Sequence, residues 1–168
     1  LQNHIDVGAV FALDVLINEN DRVIKEGSNL PKELRSRNKY TFKEIFEAFL
    51  KYGNSFLICP TFMARRDVFE MVGIFKENIF NTAADIEMWL RIAEKYSIGI
   101  LKERLIKRRI GKTQGSYNYN YLRIEKSDYF GVMDYYLNLT MSKNVTIESS
   151  VLRRYKFNET WDNTMRIR

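Results

Sequence analysis

The chain has 168 residues, 45% of them hydrophobic and 29% charged, with eight Gly and two Pro. That is the composition of a globular domain with a core of its own and excludes a disordered or low-complexity segment. The formal charge of +6 leaves room for phosphorylated substrates, anionic lipid headgroups or nucleic acid. The single Cys59 excludes an internal disulfide and a cysteine zinc site, and the single His4, near the N-terminus, argues against a His-based metal site or a Ser-His-Asp triad.

Residues 7–17, VGAVFALDVLI, are rich in β-branched and aromatic types and read as a strand. NEND at 18–21 is a turn signal, with 22–25 as the return strand. The polar stretch 27–38 reads as a loop with a short helical piece after Pro31. Thr41 opens the best-marked helix. Thr41 and Glu44 form a capping box, Tyr40 and Ile45 occupy the staple positions, and Phe42, Ile45, Phe46, Phe49 and Leu50 recur at helical spacing until Gly53.

SFLICPTFM at 55–63 has the length and hydrophobicity of a strand, interrupted by Pro60. A short helix follows at 65–72, capped by Gly73, and a loop at 75–80 leads to NTAADIEMWLR. Here Asp85 falls in the first turn of an amphipathic helix that runs to about Tyr96. A carboxylate held there suits a general base acting on a hydroxyl over a cleft. It equally suits a capping residue, since Thr82-Ala83-Ala84-Asp85 fits the capping-box template with Asp in place of Glu. Trp89, one turn on, either offers a flat face to a sugar ring or belongs to the core with Ile86 and Ala93.

Two short strands are expected at 97–101 and 105–110, then a mobile loop, GKTQGS, at 111–116. The tyrosine-rich run 116–121 leads into a helix to about Leu139, with Leu122, Tyr129, Val132, Met133, Tyr136 and Leu137 as its core face. A final helix is expected at 146–156. The order of elements is mixed α and β, without internal repeats. No apolar run approaches the about 20 residues needed to span a bilayer.

The run of features from 55 to 116 resembles the C-terminal half of a family-2, GT-A-type glycosyltransferase. The residues that carry it are MARR at 63–66, MVGIF at 71–75, ADIEMWLRIAEKY at 84–96, Gly99, and the basic strand ending at Arg108-Arg109-Ile110. The resemblance implies an α/β fold, the C-terminal portion of a nucleotide-diphospho-sugar transferase, with 1–116 as its acceptor side and 117–168 as a helical extension. It implies that Asp85 is the catalytic base, removing the proton of an acceptor hydroxyl as that oxygen attacks the anomeric carbon with inversion. Trp89 and Arg109 are the implied substrate-binding residues, Arg109 because paired guanidinium donors suit phosphate oxygens. Arg65, Arg66 and Arg108 are expected to be surface charges.

The resemblance departs from the family pattern at three places. Ala84 stands where the family has the Glu of a Glu-Asp pair, and Gly111-Lys112 stand where it has a His. No Asp-x-Asp occurs among the 168 residues. The start at Leu1 and the unfinished pattern at the other end lead us to expect a piece of a longer protein, inactive alone. That protein would use Mg or Mn with a nucleotide-sugar donor and a saccharide or glycolipid acceptor, while the piece itself holds neither cofactor nor metal. The expected location is the cytoplasm, with peripheral contact at the inner membrane face and no nucleic-acid partner. The competing class is a non-catalytic binding or assembly module, in which the tyrosine run stacks on bases or a partner protein.

Overall fold

In the computed structural model of the protein, residues 1, 3–111, 125–143 and 145–166 are described. The expected loop at 112–116, the tyrosine run and Leu122 lie outside them.

The centre of the fold is β1 (Val7–Ile17), an almost unbroken run of buried residues, as befits a strand covered on both faces. β2 (Val23–Glu26) returns antiparallel along its second half, and β5 (Ser97–Arg109) runs parallel on its other side. β3 (Lys39–Tyr40) closes the far edge against β5, giving the order β2-β1-β5-β3 in a mixed sheet. The two residues of β4 (Met63–Ala64) pair with Ala9 and Val10 of β1.

Two strand expectations are corrected. The SFLICPTFM run is not a strand: Pro60 sits in a 3-10 turn at Cys59–Thr61, and only Met63–Ala64 reach the sheet. Phe56 and Leu57 of that run are nonetheless buried, so its hydrophobicity is spent on the core without a ladder. The two short strands expected at 97–110 are one strand of 13 residues. The gap between them is a bulge, where β1 advances from Phe11 to Leu13 while β5 advances from Ile100 to Arg104.

Helix α1 (Phe42–Tyr52) has the expected capping box, with Thr41 N–H and hydroxyl both 2.9 Å from Glu44 Oε2. Gly53 ends it at φ 74°, and Gly73 likewise ends α2 (Arg66–Val72) at φ 85°, the left-handed region that favours glycine. A four-residue helix, α3 (Glu77–Phe80), occupies the expected loop and leads through a 3-10 turn at Asn81–Ala83 into α4 (Ala84–Ala93). The α4 helix is buried nearly all round, so it packs as a core element rather than a one-sided surface helix.

Two further helices, α5 (Asp128–Ser142) and α6 (Ser149–Arg166), pack on the same core. Tyr129, Val132, Met133 and Tyr136 are buried as expected, and Tyr155 of α6 is wholly enclosed. Tyr129 donates to the Phe49 carbonyl at 2.6 Å, and the Asn158 amide donates to the Lys51 carbonyl at 3.2 Å. These bonds seat α5 and α6 against the end of α1. Among the described residues no helix is long and apolar enough to cross a membrane.

Candidate active site

The site is built on the first turn of α4. The Asp85 Oδ1 accepts the Ile86 amide at 2.7 Å, which fixes the carboxyl at the N-terminal end of the helix. The expected Thr82–Asp85 capping box is absent. Thr82 instead directs its amide, at 3.2 Å, and its hydroxyl, at 2.6 Å, to Asp128 Oδ2 at the start of α5. The 3-10 turn before α4 carries Thr82 away from the position a cap would need, and its bonds tie α5 to the mouth of the site.

Asp85 is the shared wall of two hollows. One, of about 370 Å³, is also lined by Cys59, Pro60, Ile86, Trp89, Arg108 and Arg109. The other, of about 520 Å³, is lined by Cys59, Phe75, Glu77, Asn81, Thr82 and Ala84 beside Asp85. Burial pushes the Asp85 carboxyl above the usual carboxylate range, outweighing the downward pull of the Ile86 amide and its own. The same charge, after burial, helps raise the Cys59 thiol. A carboxylate short of compensating cations and open to a hollow is a stronger base than one at the surface.

The structure therefore brings Asp85, Trp89 and Arg109 around one hollow, but on different terms. Trp89 is 1% exposed, its ring set edge-on to Phe11 with centroids 5.0 Å apart and tilted against Phe62. The open ring face expected for a sugar is not there. The Trp89 indole N–H is buried and has no acceptor among the described residues. Arg109 holds the β1–β2 turn, donating to the Asn18 carbonyl at 2.7 Å and to Asp21 Oδ1 at 2.6 Å.

Arg108 and Arg65, expected as surface charges, are structural. Arg108 Nε donates at 2.8 Å to Asp14, a fully buried carboxylate that also accepts the Ser28 amide at 2.5 Å and hydroxyl at 2.8 Å. A side chain on Gly27 would start 2.1 Å from Asp14 Oδ1, which explains the glycine there. Arg65 donates to the Val7 carbonyl at 2.6 Å. Arg66 is 94% exposed, beside Glu70.

Sequence reasoning missed a second ionic cluster. Glu87, 1% exposed, meets Arg91 at 2.9 Å and Lys76 at 3.4 Å. Arg91 also donates to the Val72 and Ile74 carbonyls, so it clasps the Gly73 turn and the start of the Phe75 segment onto α4. The signal was present as opposite charges four residues apart on a helix whose only other charged residue is Asp85.

Among the described residues, no three His, Cys, Asp or Glu side chains come together in a way that could hold a metal ion. With no Asp-x-Asp in the sequence either, these residues do not fit the divalent ion that the resemblance implies. No protein-family model matches the chain, and no curated protein matches it.

Proposed function

We propose that this chain is the acceptor-binding, base-bearing part of an inverting, GT-A-type glycosyltransferase that uses a nucleotide-sugar donor. The observation that carries the reading is the position of Asp85: a desolvated carboxyl, oriented by the Ile86 amide, forming the partition between two hollows of different character. The hollow with Phe75, Asn81 and Thr82 takes the acceptor, a saccharide, lipid-linked sugar or glycoprotein. The hollow with Arg108 and Arg109 faces the donor.

In the reaction, the acceptor hydroxyl lies within hydrogen-bond reach of Asp85. The carboxylate takes its proton as the oxygen forms a bond to the anomeric carbon, and the bond from that carbon to the nucleoside diphosphate breaks on the opposite face. Arg109 supplies positive charge on the donor side, and Trp89 forms part of the wall of that hollow. No step is assigned to a metal. The reading places the protein in the cytoplasm, with lipid-linked acceptors reached at the inner membrane face.

One observation favours the second reading, a non-catalytic assembly module: Ala84 removes the acidic neighbour that precedes the base in the family pattern. The test is made on the protein expressed from its complete reading frame, incubated with a panel of UDP- and GDP-sugars and mixed acceptors. Release of nucleoside diphosphate with a product of inverted anomeric configuration, read by proton NMR, is the expected result. Absence of turnover across the panel, or retention of configuration, contradicts the proposal.

A further inference from the structure

A third hollow, of about 580 Å³, lies where α6 crosses the end of α1. Its walls include Tyr52, Asn54, Phe130, Arg154, Asn158 and Trp161. Asn54 also lines the hollow that holds Asp85, Trp89 and Arg109, so the two lie on either side of the turn that follows Gly53. Asp85 and Cys59 in turn join that hollow to the one with Phe75. The three hollows are thus neighbours that share wall residues, in an order that runs from Phe75 past the carboxylate to α6.

The far end of this series has an unusual surface. Trp161 and Phe157 are each 57% exposed and Met165 is 52% exposed, at a spacing of four residues along one side of α6. Phe157 and Trp161 stack with centroids 6.3 Å apart at 20°, and the Arg154 guanidinium lies 5.5 Å from the Phe157 ring centre. Beside them stand Asn54, Asn158 and Asp162, short polar side chains on the same walls. An open indole bordered by amide and carboxylate groups suits a sugar ring: the apolar C–H face lies on the aromatic ring and the hydroxyls reach the polar rim. Lys51 and Arg154 line the cleft as well, but its amide and acidic side chains set it apart from the purely aromatic and basic face that a lipid surface calls for.

We infer that this cleft is a distal acceptor subsite, and that the acceptor is an oligosaccharide rather than a single sugar. The inference rests on the proposed function for its direction: the reacting end lies at Asp85, and the preceding sugars extend past Asn54 to Trp161. Binding at the cleft itself does not depend on Asp85.

The experiment uses the full chain and neutral oligosaccharides of β-1,4-linked glucose and N-acetylglucosamine, from disaccharides to hexasaccharides. The chain has two tryptophans, and Trp89 is buried, so iodide-quenchable emission reports Trp161. The expected result is a blue shift of that emission, with affinity rising about tenfold from disaccharide to hexasaccharide, a difference the ladder resolves readily. Trp161→Ala removes the gain with length, Trp161→Phe keeps most of it, and Asp85→Asn leaves it intact; the melting temperature of each variant confirms its fold. The inference is overturned if no oligosaccharide shifts the emission, if Trp161→Ala keeps the length dependence, or if only phosphatidylglycerol vesicles produce the shift. Length-dependent binding by this chain, together with no turnover in the nucleotide-sugar assay of the complete protein, would fault the proposed function alone.

Discussion

Replacing Arg91 by Ala should be the costliest single change near the site. It removes the charge 2.9 Å from a carboxylate that is 1% exposed, leaving Lys76 at 3.4 Å as the remaining cation. Breaking a buried pair from one side costs about 3–5 kcal/mol, because the surviving charge has lost its compensation. The donations to the Val72 and Ile74 carbonyls go as well, although solvent replaces part of these. Glu87→Ala is milder, about 2–3 kcal/mol, since Arg91 keeps both carbonyls and sits closer to water. In a domain of this size, about 4 kcal/mol corresponds to a fall of roughly 8–16 °C in melting temperature. Urea titrations analysed by linear extrapolation measure both variants. An Arg91→Ala loss under about 1 kcal/mol, the cost of an exposed pair, would refute the clasp, as would a larger loss for Glu87→Ala.

Asp14 should make the fold acid-sensitive. Burial alone would raise its carboxyl, but the Ser28 and Arg108 bonds outweigh that and hold it below the ordinary value. Its contribution is therefore complete above the unfolded value of about 3.9 and is lost as pH falls through the lower folded value. Urea midpoints followed downward from pH 5 should fall more steeply for the wild type than for Asp14→Asn, which starts less stable. Asp85 has the opposite sign. Its folded carboxyl is raised by burial, so stability declines as pH rises from the unfolded value through the folded one. Asp85→Asn, which keeps an oxygen for the Ile86 amide, should be more stable than the wild type at pH 7 and equal to it at low pH. Equal midpoints at both pH values would show that the carboxyl carries no burial penalty.

What could be read from the sequence was what is encoded locally. The Thr41–Glu44 box works because both partners lie within one turn, and β1 is legible because a central strand needs continuous hydrophobicity. Asp85 in a first turn was equally readable, since nothing beyond the helix start determines it. The Glu87–Arg91 pair was local and still missed, but most of the failures involve distant partners. SFLICPTFM looks like a strand, but most of it meets core side chains rather than a neighbour's ladder. The bulge in β5 is set by β1, so its two halves looked like separate strands. Thr82 takes Asp128, 46 residues away, over the nearby Asp85. Arg108 takes Asp14 across 94 residues, and no local pattern distinguishes it from a surface arginine. Trp89 could be a platform or a core residue until Phe11 and Phe62 were seen on it. The hollow beneath Trp161 exists only because α6 crosses the end of α1.

The most direct measurement is the pH dependence of single-turnover sugar transfer by the complete protein and its Asp85→Asn variant. The wild-type rate should rise with pH through a single carboxyl ionisation placed above the ordinary Asp value of about 3.9. The variant should be slower by roughly 10²–10⁴ and lack that ionisation, while binding acceptor as tightly as before. A variant that keeps the wild-type rate, or that loses rate but retains the same ionisation, would contradict the assignment of Asp85 as the group that takes the proton.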